Sequence, residues 1–500
     1  MGALVAALPE IYQPIYGHPE CSMKTSRKCE DRLGHIIAIY TLFAQKLGRP
    51  LRVLDLGCAQ GFFSLHLAAL GATVNGVDFL QPNIDVCNEL ALENPELKLR
   101  FIAARVEAVI DIINAGQFDL VLGLSVFHHI IHIRGLDAVQ SLFTKLAHSV
   151  AVGLYELALP SEPPDWAPSQ PEDPRQQLEP YAFVHEIAQS ETHLSSITRP
   201  LYVASNHYWF LSDQIGQFDR YQKSSHVFSV DALYGTRRYF FGEGKVIKVF
   251  RVDHPLTFET NQREYSNESL LLSLGQSQLK FPRLYLHGRH VNEAWLVREC
   301  LEGELLLKYL DENKPYDAHK IIRDVLTQLA ALETFKLYHV DVRIWNILLT
   351  PDNRAQLIDY GAIDHNARDC TWPENVYLSF MIFVREVLQR KAPKFRLLEA
   401  SAMNPDELPE PYRSAFWQML CSDPTSWSYA QLLKQLSQNG QIQPYPSPIA
   451  RNGLAYAFER MGAALKIYQE NTEQTIVAAM EEKQQTDLTA AYLKKAVGEK

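Results

Sequence analysis

Five hundred residues, 47% hydrophobic and 21% charged, describe a globular chain long enough for about three domains of ~150 residues each. A net charge of −10 argues against a nucleic-acid binder as a whole. Seven cysteines at irregular spacing, with no C-x-x-C pair, read as reduced thiols of a cytosolic protein rather than as a disulfide framework.

The opening MGALVAALPE lacks a basic region and is followed by no long apolar run, so no secretion signal is expected. No stretch approaches about 18 uninterrupted apolar residues, so no membrane span is expected either. Residues 1–50 are helical in pattern, with punctuation at Pro14, Gly17 and Pro19. From Leu51 five strand candidates follow: LRVLDLG, ATVNGVDF, LKLRFIAA, FDLVLGLS and SVAVGLYEL. Helical segments such as Phe63–Leu70 and Leu136–Ala147 separate several of them. This βαβ rhythm implies a mainly parallel, doubly wound sheet. The proline-rich segment 160–174 is neither helix nor central strand. It reads as a loop over the sheet edge, because YAFVHEIAQ and LYVASNHYWFL follow and would complete the sheet. The first domain is expected to span 1–220, a second 221–450, and a C-terminal helix or start of a coiled coil 451–500.

Val53–Ser64, VLDLGCAQGFFS, carries a strand into a tight glycine turn and then a helix. Gly57 and Gly61 let the backbone pass close to a ligand where a Cβ would clash. Asp78 ends the next strand, where a carboxylate can bind ribose hydroxyls. The pattern D-x-G-x-x-x-G, rather than G-x-G-x-x-G, favours S-adenosylmethionine over a dinucleotide. With the strand FDLVLGLSVFHHI, this half resembles the class I S-adenosylmethionine-dependent methyltransferases, whose fold is α/β and Rossmann-like. The resemblance implies Asp55 near the methionine amino group, Gly57 and Gly61 in the turn and Asp78 on the ribose. It also implies Val106 and Glu107 near the adenine, Leu124 and Ser125 beside the methyl-transfer edge, and Tyr16 and Arg27 in a closing lid. Two departures are Ala59 at the usual middle glycine and Arg105 at the usual acidic position before the adenine. His128 and His129, with His132 nearby, lack the Cys or carboxylate spacing that would complete a metal set.

The stretch YHVDVRIWNI holds His339, Asp341 and Asn346 at the spacing H-x-D-x-x-x-x-N of a kinase catalytic loop. Thirteen residues after Asn346 comes Asp359-Tyr360-Gly361, a variant of D-F-G. Phosphoryl transfer needs one carboxylate at the acceptor hydroxyl, here Asp341. It also needs Asn346 and Asp359 to hold Mg²⁺ against the nucleotide phosphates. Lys248, in VIK, is placed like the lysine on the α/β-phosphates of ATP, with Glu268 as its partner and Glu264 as the competitor. AWLVRECLEG resembles an adenine-carrying hinge, with Glu299 and Leu301 as the contacts. YGTRRYFFGEG lacks a glycine-rich loop, so Arg237 and Arg238 are candidates to supplement it with charge. The segment after Asp359 is short and has no A-P-E, which favours a small-molecule or glycan hydroxyl over a peptide. This half is similar to the protein-kinase-like two-lobe α+β domains.

A methyltransferase, then a kinase, then a helix in one chain resembles the WbdD-type bifunctional enzymes that terminate O-antigen chains. That resemblance implies phosphorylation of a terminal mannose of a glycan acceptor and then methylation of the phosphate. The implied cofactors are S-adenosylmethionine, ATP and Mg²⁺. It further implies a homo-oligomer, a C-terminal coiled coil that holds a polysaccharide polymerase (a mannosyltransferase), and a cytoplasmic location peripheral to the inner membrane. Two other readings stay open on the residues alone. One is a small-molecule kinase fused to an O-methyltransferase, and the other a pseudokinase scaffold attached to a methyltransferase.

Overall fold

The structure is a computed structural model. It describes residues 1–192, 196–224, 233–275, 279, 281–391, 403–437, 453, 455–463, 466, 469 and 470. The chain divides into two compact units: Met1–Gln222, Arg238–Ile247 and Gly288–Glu293 in the first, and Lys223–Arg237, Lys248–His287 and Ala294–Lys500 in the second.

The first unit is built on a seven-stranded sheet. Its strands are β1 (Arg52–Leu56), β2 (Thr73–Asp78), β3 (Lys98–Ala103), β4 (Leu120–Leu124), β5 (Val152–Glu156), β6 (Phe183–Glu191) and β7 (Thr198–Ser205). The order is β3-β2-β1-β4-β5-β7-β6. The first five are parallel, and β7 runs antiparallel to both β5 and β6. All five residues of β4 and of β5 are buried, as continuous apolar runs require when helices cover both faces. Because β1, β2, β4 and β5 are parallel, Leu56, Asp78, Leu124 and Glu156 end at one edge of the sheet. Strand order reverses between β1 and β4, which opens a crevice at that edge.

Two expectations shift in detail. Residues 1–50 hold only two α-helices, Gly2–Ala6 and Glu30–Leu47, because Pro14, Gly17 and Pro19 interrupt the pattern between them. LYVASNHYWFL splits: β7 ends at Ser205, and Tyr208–Leu211 pairs instead with Gln214–Gln217. The break is built by Ser205, whose Oγ accepts from the amides of His207 and Tyr208 at 3.0 Å each. The proline-rich segment forms two 3₁₀ turns, Ala167–Ser169 and Pro174–Leu178.

A five-stranded sheet takes the order Arg220–Gln222, Arg237–Gly242, Lys245–Arg251, Glu293–Glu299, Leu284–His290. The helix Phe258–Ser273 follows the strand that carries Lys248. Helices Ala318–Glu333 and Val376–Gln389 anchor the large apolar core of the second unit. Each starts on a side-chain cap: Asp317 accepts from the amide of Lys320 at 3.0 Å, and Asn375 from those of Tyr377 and Leu378. The expected hairpin is the pair Ile347–Leu349 and Ala355–Leu357. At the C-terminus, residues 455–463 are helical. The apolar spacing Phe458, Met461, Leu465, Tyr468, Thr472 and Thr475 suggests the start of a coiled coil; of these, only Phe458 and Met461 lie within the described helix 455–463. No described helix is long and apolar enough to cross a membrane.

Two candidate active sites

In the first unit, β1 ends in the turn Gly57–Gly61. The amides of Gly57 and Cys58 bond the Val77 carbonyl at 2.8 and 3.0 Å, which pins the turn to β2. Gly57 has φ +76°, and a Cβ there would come within 3.2 Å of the Val126 side chain. Ala59 takes φ +47° although it is not glycine. Its amide donates to Oδ2 of Asp78 at 3.0 Å, which offsets the strain. Asp78 also accepts at Oδ1 from the Leu80 amide at 2.8 Å and from Asn83 Nδ2 at 3.2 Å. One carboxylate therefore ties the turn, the strand end and the next helix together.

These groups border a cavity of about 1020 Å³. Gly57, Asp78, Val106, Glu107, Leu124 and Ser125 line it, and so does Arg105. Tyr16, Arg27, Asp55 and Gly61 are not among its lining residues. Asp55 is buried against Ser64 Oγ at 2.7 Å, and burial pushes its carboxyl up to about 7. Gly61 opens the helix Phe62–Ala69 at φ +77°. Tyr16 packs edge-on against His66. Arg27 reaches the wall through others: it donates to Tyr12 Oη at 2.9 Å and Ser125 Oγ at 2.7 Å, both cavity residues, and to Glu156 at 2.6 Å.

Sequence reasoning missed the cluster around Glu156. Burial would raise this carboxyl, but Arg32 and Arg27 outweigh it and hold it below its ordinary range. Beside it Arg199 lines the cavity, is clamped by Glu162 at 2.7–3.0 Å, and donates to Ser125 Oγ at 3.0 Å. Trp166 lines the same wall, with the His128 ring and the Arg199 guanidinium against it. Burial drives His128 down to about 2 and also lowers His129, so both rings are neutral near pH 7. A readable signal was the carboxylate ending the apolar run VGLYE; nothing in the sequence marked Arg199.

In the second unit, Lys248 Nζ lies 2.7 Å from Glu268 Oε2 and 3.1 Å from Asp359 Oδ1. Glu268 also accepts from Arg298 Nε at 3.0 Å. The competitor, Glu264, pairs with Arg237, whose Nε donates to Asn261 at 2.8 Å. Arg237 is thus buried and engaged within its own sheet and helix. Arg238, in the first unit, donates to the Val184 carbonyl at 2.9 Å and to Glu293. The connection before Arg237 that would cover phosphates includes 225–232, outside the described residues.

His339 sets the catalytic-loop geometry. Its Nε2 bonds the Ile358 carbonyl at 2.8 Å, and its Nδ1 faces the Asp341 amide at 3.3 Å, which fixes the tautomer as Nε2–H. Asp341 accepts at Oδ2 from Asn346 Nδ2 at 2.7 Å and Trp345 Nε1 at 3.2 Å. Burial pushes its carboxyl up to about 7, against the pull of Arg343. Asp359 adopts φ +66°. Burial would raise its carboxyl, but Lys248 and Arg237 prevail and hold it at about 2. The Ile358 amide donates to the Asn346 carbonyl at 2.9 Å, so the loop and the D-Y-G strand are joined one residue before Asp359. Glu299 ends its strand, accepting the Arg283 amide at 3.1 Å, and Leu301 packs against the large core two residues later.

A family model described as a methyltransferase domain matches residues 53–148. The O-antigen chain terminator bifunctional methyltransferase/kinase WbdD of Escherichia coli is 40% identical over 448 residues, 88% of this chain and 63% of that protein. A solved structure of the bifunctional kinase-methyltransferase WbdD is 38% identical, covers 93% of this chain and 99% of its own, and superposes with a TM-score of 0.79. The chain belongs to this family. Another WbdD structure, with its C-terminal bundle ordered to residue 505, covers 98% of this chain at 37% identity and a TM-score of 0.84. The chain spans just under two thirds of the length of the curated relative it matches.

Proposed function

We propose that this chain is a bifunctional transferase: it phosphorylates the terminal mannose of an O-antigen glycan and then methylates that phosphate, which ends elongation. The observation that carries the reading is the presence of two separately built sites, one in each unit of a chain of this family. The acceptor sugar rests on the family resemblance.

In the first unit S-adenosylmethionine supplies an electrophilic methyl group. The Gly57–Gly61 turn would admit its methionine moiety, Asp78 would take a ribose hydroxyl on the lone pair that Oδ2 has left after the Ala59 amide, and Val106 and Glu107 would flank the adenine. Asp55 and Gly61 support the turn from behind. Tyr16 and Arg27 hold the N-terminal segment near it. A phosphate monoester is anionic at neutral pH, with a second pKa of about 6. Such an anionic oxygen would take a sulfonium methyl, with S-adenosylhomocysteine leaving, without a strong base. Arg199 and Arg134 offer it charge, and neutral His129 offers a hydrogen bond.

In the second unit the residues fit Mg²⁺ chemistry. Asn346 commits its Nδ2 to Asp341, which turns its amide oxygen the other way, and Asp359 is held ionised beside it. Mg²⁺ on Asn346 and Asp359 would neutralise charge on the nucleotide phosphates. Lys248, held by Glu268, would contact the phosphates, and the backbone from Glu299 to Leu301 would take the adenine. Asp341 orients the acceptor hydroxyl and takes its proton. Arg237 shapes the sheet beside the phosphates from its pairing with Glu264.

Oligomer contacts and a polymerase partner at the inner membrane are assigned to the C-terminal region, 451–500, on the family resemblance. The test is mass spectrometry of a synthetic mannose oligosaccharide incubated with ATP, Mg²⁺ and S-adenosylmethionine. Gain of one phosphate and then one methyl is expected. With S-adenosylmethionine alone the glycan should stay unmodified; methylation of the bare sugar would overturn the scheme.

A further inference from the structure

The N-terminal segment carries donor groups that neither site uses. Among the described residues, His18, Glu20 and Cys21 bring one donor atom each to within 4.8 Å of one another. The grouping is set by the backbone. Pro19–Cys21 is a 3₁₀ turn, with the Cys21 amide on the His18 carbonyl at 3.1 Å. Ser22 locks it, since its Oγ donates to the His18 carbonyl at 3.0 Å and accepts from the Ile15 amide at 2.9 Å.

Glu20 Oε1 lies 2.9 Å from His18 Nδ1 and 3.9 Å from Cys21 Sγ. Ligands bound at about 2.0–2.3 Å around a tetrahedral ion stand roughly 3.3–3.8 Å apart. Shifts of about half an ångström in side chains that are partly exposed would reach that spacing. The fourth group is the telling one. Glu93 Oε2 sits 2.7 Å from His18 Nε2. Without an ion both ring nitrogens face carboxylates, Nδ1 that of Glu20 and Nε2 that of Glu93, which favours the doubly protonated ring. An ion would displace the Nδ1 proton and take that lone pair, while Glu93 keeps the Nε2–H in place. That is how carboxylates orient metal-binding histidines.

We propose that His18, Glu20 and Cys21 form a zinc-class metal site with one position left to water, and that Glu93 orients His18. A thiolate with an imidazole and a carboxylate selects a borderline cation over Mg²⁺ or Ca²⁺, which prefer oxygen alone. Binding releases the Cys21 thiol proton and the His18 Nδ1 proton to solvent. Glu93 ends the helix Gln81–Glu93, whose first turn holds Asn83 on Asp78, and Pro9, Glu10 and Tyr12 of the same N-terminal segment line the donor cavity. The ion would therefore fasten that segment to the cavity's own supporting helix.

The test uses the full chain, stripped by chelator and titrated with Co²⁺ alone and then Zn²⁺. Wild type should show a near-ultraviolet sulfur-to-cobalt charge-transfer band that Zn²⁺ bleaches; Co²⁺ on oxygen ligands at the kinase site gives no such band. Cys21→Ser should remove the band, and His18→Ala should weaken affinity at least about tenfold. Glu93→Gln should keep the band while weakening affinity about 10–100-fold. Zn²⁺ should raise the wild-type Tm but not that of Cys21→Ser. Absence of the band in wild type, its survival in Cys21→Ser, or a Zn²⁺-dependent Tm rise that persists in both Cys21→Ser and His18→Ala would overturn the assignment.

Discussion

Asn346 donates twice to one residue: from Nδ2 to the Asp341 carboxylate at 2.7 Å and to the Asp341 carbonyl at 2.9 Å. The side chain proposed to hold the metal is thereby the one that aims the proposed base. Replacing either disturbs both, so single substitutions separate the roles only if they keep this hydrogen bond.

Asp341→Asn keeps the shape and removes the charge. Phosphoryl transfer should fall by at least about 10²-fold, since general-base assistance contributes that much, while nucleotide binding persists in calorimetry. Stability should rise. A carboxyl pushed up to about 7 by burial penalises the folded state wherever it is ionised. The variant should therefore melt above wild type at pH 8, and the gap should close as pH falls from about 7 toward the ordinary carboxylate range. An unchanged turnover would remove Asp341 from the chemistry.

The same shift predicts the pH profile. In the free enzyme kcat/KM for the acceptor should climb as Asp341 loses its proton, with an acid limb near pH 7. Methyl transfer to a phosphorylated acceptor should lack that limb. A kinase profile flat from pH 6 to pH 8 (roughly the titration range of such a group) would contradict the raised carboxyl.

Asp78→Ala removes the carboxylate that joins turn, strand and helix and faces the donor cavity. Donor affinity should drop at least about tenfold, the value of one hydrogen bond to a charged group. ATP turnover should continue, because the Asp78 hydrogen bonds run to Ala59, Leu80 and Asn83 of its own unit. Isothermal titration with S-adenosylmethionine and a coupled ATPase assay read the two effects separately.

Glu156→Gln leaves Arg27 and Arg32 buried without their counter-charge. Breaking such a pair from one side costs about 3–5 kcal/mol. Scanning calorimetry should show the first unit's transition moved to lower temperature, with methyl transfer lost. A variant as stable as wild type would mean that the two guanidinium groups find other partners.

Much of this was readable in the residues. Strands β1 to β5 stand within three residues of the apolar runs that suggested them, because a doubly covered sheet leaves no polar face to blur the pattern. The spacing from Lys248 to Glu268 also anticipated their contact, since a strand and the helix after it have few ways to meet. What stayed hidden depends on the chain turning back. Arg199 and Glu162 are 37 residues apart and meet only because β7 reverses against β5. Arg237 looked like a free phosphate ligand until Asn261 and Glu264 were placed beside it. The N-terminal segment broke the helical reading because Pro14, Gly17 and Pro19 outweigh its apolar spacing.

Ser125 sits where a reader would look for a reactive hydroxyl, at the end of β4 on the cavity wall. Its oxygen accepts from Arg27 and Arg199 and gives its only proton to Glu156. A hydroxyl has one proton and two lone pairs, so its valence toward neighbours is full. It has nothing left with which to take a proton from an incoming molecule. Ser125 is therefore no base on this wall, in keeping with the proposed acceptor, a phosphate oxygen that is already anionic.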